Sequence, residues 1–196
     1  MELTSAGEFE NQVFQKQSYA HADLKHKRLS HITFNQCDFT QSDFTGSRFL
    51  ECQWIGCNLS LTKLAGCHFQ GIEFENCKLV GLDFTRCERM FLSLKFKKCL
   101  INMSNFSDLD LKNTLFQERK ILETFFTNAN LTGSDFKESD LSGSIFHNTN
   151  LSKVDFSQAV HYSMNPFTNK LAKAKFSTPE VLVLLKSLDV IIDDSN

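Results

Sequence analysis

Seven cysteines, Cys37, Cys52, Cys57, Cys67, Cys77, Cys87 and Cys99, are the residues of this 196-residue chain with the most evident capacity for chemistry. Cysteine pairs at fixed spacing are frequent zinc ligands, and an activated thiolate is a nucleophile. Three histidines, His21, His26 and His31, form a second regular set, and Asp108 and Asp110 form a close acid pair. Brought together, such groups would suit a metal centre or general acid–base work. Their spacing, however, runs largely in multiples of five, which is neither the period of a strand nor that of a helix.

The elements that would position these residues share that interval. Counting in fives from Phe9 to Phe84 meets only apolar residues, and so does a second run, shifted in phase, from Phe96 to Phe156. All 29 positions are apolar in a chain that is 41% hydrophobic, so the pattern is an internal repeat and takes precedence over other readings. Two residues before each centre the side chain is usually small, as at Ser42, Thr62, Ser104, Ser134 and Ser139. Immediately before the centre the residue is often Asp or Asn, as at Asp38, Asp43, Asn58, Asn130 and Asp155, a position expected to face water. A chain that turns two of every five residues inward and bends after each unit stacks into a solenoid.

That lattice removes most of the candidate chemistry. All seven cysteines fall two residues before a centre and read as small core residues, in which role a thiol packs as a hydrophobe. Cys37, Cys57 and Cys77 recur at every fourth unit of the lattice and stack in a line, whereas zinc requires a tetrahedron. The three regular histidines leave three different faces. His68, His147 and His161 are scattered, Asp108 and Asp110 read as solvated, and the eight glycines occur singly, without a phosphate-binding loop. No grouping for catalysis, no metal and no cofactor is expected.

The motifs SDFTG, SDFKE, SDLSG and ANLTG, beginning at Ser42, Ser134, Ser139 and Ala129, resemble the pentapeptide-repeat family. The resemblance covers residues 9 to 156. It implies an all-β solenoid, a right-handed quadrilateral β-helix of about seven coils, with no enzymatic activity. At a strand spacing of roughly 4.8 Å that is a rod on the order of 35 Å long. The expected division is a repeat domain over 1–165, irregular at 85–95, followed by a capping or dimerisation helix and tail over 166–196. The apolar runs are all far shorter than the roughly 20 residues needed to cross a bilayer. The first residues, MELTSAGEFENQ, show no signal peptide, so the cytoplasm is the expected location and no membrane partner is expected.

Departures from a repeat are where a binding site is expected to be specified. Between Phe84 and Phe96 the next lattice position holds Arg89, and two extra residues shift the phase. Arg86, Arg89 and Lys95 stand there beside Met90, Phe91 and Leu92. Two readings are open: an irregular coil that buries Phe91, or a loop that touches a partner. A second departure, QERKILET, keeps the period but puts Arg119 at a small inward position. Past Phe156 the pattern is expected to stop. STPEVLVLLKSL then carries helix-start signals, with Ser177 or Thr178 as N-cap, Pro179 and Glu180. Leu182, Leu185, Leu188 and Ile192 lie on this short α-helix, which is expected to cap the last coil, to join two copies, or to do both.

The stretch from Ser139 through Leu188 also resembles the bacterial pentapeptide-repeat proteins that protect DNA gyrase, the quinolone-resistance, albicidin-resistance and microcin-immunity group, and is most similar to the albicidin-resistance type. That resemblance implies a homodimer joined through its C-terminal ends. The dimer would bind gyrase or topoisomerase IV by imitating duplex DNA, without binding nucleic acid itself. The net charge is only −2, whereas duplex DNA carries about one charge per 1.7 Å. The acids are uneven: Glu123, Asp135, Glu138, Asp140 and Asp155 face only Lys137 and Lys153 over residues 123 to 165. They are the expected DNA-mimicking surface, and Arg86, Arg89, Met90 and Phe91 the expected gyrase-contacting loop. The alternative is a scaffold or effector module with another protein partner.

Overall fold

The five-residue interval arises from a bend repeated at every unit. A computed structural model describes residues 3–4, 7–117 and 120–190. In it the backbone adopts positive φ every fifth residue, for example at Asn11, Lys16, His21, His26, His31, Gln36 and Gln41. Each bend turns the chain, and four units bring it back beneath itself. Parallel pairing then joins residues four units apart, as in Phe14 with Phe34 and Phe34 with Trp54. Glycine is favoured at such bends: at Gly71 (φ +65°) it spares the strain of positive φ, and a Cβ there would also displace the Glu51 carboxylate of the preceding turn.

The strands are short and stack in columns. One sheet comprises Glu8–Glu10, Arg28–Ser30, Arg48–Leu50 and His68–Gln70. A six-stranded sheet contains Val13–Gln15, Thr33–Asn35, Gln53–Ile55, Ile72–Glu75, Leu94–Lys97 and Phe116–Gln117. Each strand of the first sheet buries its central residue and turns the flanking pair outward.

Inside, the lattice residues form ladders of rings. Phe14, Phe34, Trp54, Phe74, Phe96, Phe116, Phe136, Phe156 and Phe176 stack at centroid distances from 4.7 to 5.5 Å. Eight steps along that ladder make about eight turns. A second ladder, Phe84, Phe106, Phe126 and Phe146, meets the first edge-on, as in Phe106 against Phe116 at 5.8 Å and 87°. Offset stacking along the axis and edge contacts across it are the favoured aromatic geometries.

The small inward residues tie each turn to the last. Ser47, Ser134, Ser139 and Ser144 donate their hydroxyls to the carbonyls of Leu24, Leu111, Phe116 and Ile121 at 2.6 to 2.7 Å. Cys37, Cys52, Cys57, Cys77 and Cys99 point their thiols at equivalent carbonyls at 3.3 to 3.5 Å. A hydroxyl or thiol there can bond back to the preceding turn, which accounts for the recurrence of Ser, Thr and Cys, but the position also accepts buried apolar residues such as Ile72, Leu82, Leu109 and Ala129. Burial pushes the Cys52 thiol up to about 11 and the Cys87 thiol up to about 12, which removes the thiolate that reactivity requires.

Three expectations need correction. The repeat continues past Phe156 for one more turn, which is why about eight turns form instead of seven: Phe146 pairs with Met164, Asn150 with Lys170 and Phe156 with Phe176. The step from Phe146 to Met164 falls short of four full units, which hides this turn from a count in fives. Secondly, the C-terminal helix, Glu180–Leu188, is a 3₁₀-helix and not an α-helix. Its Leu182 amide donates to the Pro179 carbonyl, three residues back, as that tighter helix requires. Thirdly, Pro179 is its N-cap and no side chain caps it. Ser177 instead accepts from the Gln158 amide through its hydroxyl, and the Glu180 carboxylate accepts from the His161 amide.

Candidate functional site: a loop-walled groove and an acidic edge

The two-residue insertion breaks the first sheet. Phe74 pairs with Phe96, a step longer by those two residues than the one that pairs Trp54 with Phe74. The strand that would follow His68–Gln70 is replaced by a loop from Glu88 to Ser93. Backbone bonds anchor it to the preceding turn, from the Glu88 amide to the Cys67 carbonyl, from the Ser93 amide to the Phe69 carbonyl and from the Ile72 amide to the Ser93 carbonyl, and the Leu92 amide donates to the Arg89 carbonyl within it. Arg86 ends a short 3₁₀ turn, Phe84–Arg86, and pairs with Asp83 at 3.5 Å, while Lys95 already lies in a strand and pairs with Glu73 at 2.7 Å. The irregular part is thus shorter than expected.

Of the two readings of this segment, the structure excludes the buried one. Phe91 is 69% exposed and Met90 71%, and Phe91 has a φ of +64°. Leu92 turns partly inward in its place. Arg89 in the loop is exposed as well, and so is Arg86 in the turn that precedes it, so all four residues face outward. Met90 and Phe91 also wall a groove of about 960 Å3 that runs over the first sheet past Arg48 and Leu50 to Glu8.

The acids occupy a different part of the rod. Asp135 and Asp155 stand in register on adjacent turns, and Glu138 and Asp140 follow around the next bend. Glu123 lies one turn earlier, at the far end of the face that Asp140 begins, and packs beside Gly143. The residues are thus grouped, but the expectation that they simply face water is incomplete. Asp135, Asp140 and Asp155 are half-buried, and their carboxylates accept from the amides of Lys137, Ser142 and Ser157 two residues on. Asn130 and Asn150 do the same. The position thus requires a short acceptor that closes the turn, and charge is optional there.

Several of these acids carry partners. His161 Nδ1 lies 3.0 Å from Asp140, Lys175 lies 3.5 Å from Asp155 and Lys137 lies 3.5 Å from Glu138. Burial raises the carboxyls of Asp140 and Asp155, but the hydrogen bonds from Ser142 and His161, and from Ser157 and Lys175, outweigh it and leave both below the ordinary range. A depressed folded pKa adds stability above the unfolded value that is lost as pH falls through the folded one. Thermal stability should therefore fall as pH drops below about 4. Asp140→Asn, which keeps the turn acceptor, should reduce that slope in a melting series at several pH values; an unchanged slope would show that the carboxyl is not depressed.

Sequence reasoning missed some outward apolar residues. Met103, Phe125 and Ile145 are 42 to 52% exposed, and Phe125 and Ile145 pair on adjacent turns. Leu182 and Leu188 are exposed on the C-terminal helix, Leu185 is half-buried, and Val183 and Leu184 pack against the core. Ile192 and Arg119 lie outside the described residues. Among the described residues no group of three or more His, Cys, Asp or Glu is placed to hold a metal, and no helix is long and apolar enough to cross a membrane.

A parallel solenoid of five-residue units, interrupted by a loop-walled groove, defines the class of protein. Family models agree: the one described as "Pentapeptide repeat region" matches residues 47–126, and the one described as "Pentapeptide repeats (8 copies)" matches 20–53 and 125–160. The chain belongs to the pentapeptide-repeat family. Among solved structures it is similar to a trypsin-treated variant of QnrB1, a plasmid-mediated fluoroquinolone resistance protein. The TM-score is 0.60 at 19% identity, over 95% of this chain and 100% of that one. Full-length QnrB1 is also similar, with a TM-score of 0.53 at 18% identity, over 94% of this chain and 100% of that one. Both likenesses concern the fold. No curated protein sequence gives a significant match.

Proposed function

We propose that this chain is a non-enzymatic binding protein that protects DNA gyrase, or the related topoisomerase IV, from an inhibitor or toxin. The observation that carries this reading is a solenoid co-extensive with that of the fluoroquinolone-resistance protein QnrB1, with an outward apolar and basic loop interrupting its ladder. The acids Glu123, Asp135, Glu138, Asp140 and Asp155 stand in for DNA phosphates on the enzyme's cationic surface, and Arg86, Arg89, Met90 and Phe91 touch a neighbouring domain. Complementary charge chiefly speeds encounter and sets register. The work is done in the cytoplasm, where the target resides.

Dimerisation would join the acidic edges of two copies, because Asp155 pairs with the last strand, Lys175–Phe176, just before the C-terminal helix. Leu182 and Leu188 are the exposed anchors. Replacing both with Asp should yield folded monomers by light scattering, whereas Val183→Asp, at a residue packed on the core, should melt the last coil. Unfolding by the Leu182 and Leu188 pair would instead make the helix a cap alone.

Titration of the pure protein into a supercoiling assay with a fluoroquinolone, albicidin or a microcin-type poison tests the function. Restored supercoiling with one poison supports it and names the threat; no restoration at any concentration refutes it. A second reading, a scaffold for a non-topoisomerase partner, is favoured by the partial neutralisation of the acids by Lys137 and Lys175. Affinity capture that retrieves another protein in preference to gyrase would favour it.

A further inference from the structure

The outward residues of the first sheet form an ordered sequence of charge along the rod. At the N-terminal end stand Glu8 and Glu10. Arg28, Arg48 and His68 follow in a single column, each in register with the next on adjacent turns. At the far end the groove closes against Glu88, Met90 and Phe91. Arg28 is paired with Glu8 at 2.8 Å, but among the described residues Arg48 has no carboxylate partner. Arg28 and Arg48 stand opposite one another, and like charges so placed on neighbouring strands are destabilising, so Arg48 has an unmet demand for an anion.

We propose that the groove is a docking site for an extended acidic segment of a protein partner. A carboxylate pair of that segment lies against Arg48 and His68, and an apolar side chain lies against Met90 and Phe91. Three features support this occupant. Leu50 on the floor and Met90 and Phe91 on the wall are 38, 71 and 69% exposed, a cluster suited to an apolar anchor. The four-strand face spans roughly 14 Å, which about four or five residues of extended chain would cover. Carboxylates at both ends, Glu8 and Glu10 at one and Glu88 at the other, repel a continuous phosphodiester but suit a peptide whose acids are confined to its middle. The proposal rests on the reading of this chain as a binding protein, and it holds whichever protein supplies the segment.

The probe is a phage-displayed library of random linear dodecapeptides, panned on the full chain. Enriched sequences should carry two acids followed by an aromatic or aliphatic residue. By fluorescence anisotropy, Arg48→Glu and Phe91→Ser should each weaken a selected peptide at least about tenfold. Both side chains are exposed, and circular dichroism should show both variants folded. The site is overturned by no enrichment over an unrelated protein, by equal binding to Arg48→Glu, or by tighter binding of a twelve-residue oligothymidylate than of the selected peptides. Peptide binding without gyrase protection would support the groove and sink only the topoisomerase reading. Gyrase protection with no peptide enriched would sink only the groove.

Discussion

Deleting Arg89 and Met90 together should leave the solenoid folded and weaken partner binding at least about tenfold. The insertion adds two residues to one turn, and removing this pair returns the step from Phe74 to Phe96 to the four regular units found in neighbouring turns. The choice of pair is dictated by the lattice. With Arg89 and Met90 gone, Phe91 stands five residues after Phe84 and Cys87 stands two before it, so the segment reads as a regular unit. Phe91 should then turn inward between Phe69 and Leu111, a burial worth about 2 kcal/mol. The melting temperature should hold or rise, while the groove loses its wall. Protection of gyrase should need at least about tenfold more protein, equivalent to a loss of about 1.4 kcal/mol. Full protection by the folded deletion variant would remove the loop from the mechanism. Excising the wider stretch from Arg86 to Lys95 would not test the same point, since it removes the buried Cys87 and Leu94 and the Lys95 pair with Glu73.

The interior was legible from sequence because burial is imposed at one fixed interval. A residue at a centre either fits the ring ladder or breaks it, so Phe34, Phe106 and Phe136 declare their positions without any knowledge of their neighbours. The surface obeys no such rule. Arg28, Arg48 and His68 become adjacent only through a register of four units, and the groove they line depends on where the loop folds, which composition does not encode. Asp135, Asp140 and Asp155 were visible as acids, but their turn-closing role emerges only once each carboxylate is seen to accept an amide two residues on. The final turn was hidden for a different reason. Its centres, Met164, Leu171 and Phe176, follow a shortened step, and Leu171 and Phe176 are only partly buried at the end of the rod.

Phe116→Ala should cost roughly 3–5 kcal/mol, the usual range for removing a buried aromatic ring. Phe116 is 1% exposed and touches four rings: Phe96 and Phe136 stack on it at 5.1 and 4.7 Å, and Phe106 and Phe126 meet it edge-on at 5.8 and 5.6 Å. Few positions are so poorly able to collapse, because the rings above and below are fixed by their own strands. In a solenoid, stability is approximately a sum of coil and interface terms, so a lesion at mid-rod should weaken the coupling between its halves. Trp54, the single tryptophan, lies three steps along the ladder toward the N-terminus and reports on that half alone. In urea, the circular dichroism transition of Phe116→Ala should therefore separate from the Trp54 fluorescence transition, whereas in the parent chain the two should coincide. Equal shifts of both signals would mean that the rod unfolds as one cooperative unit. Separation would carry a functional corollary, because the groove lies on the Trp54 side and the acids beyond Phe116. At intermediate urea the variant should still bind a groove peptide after its acidic edge has melted, which would establish that the two surfaces act as independent contacts.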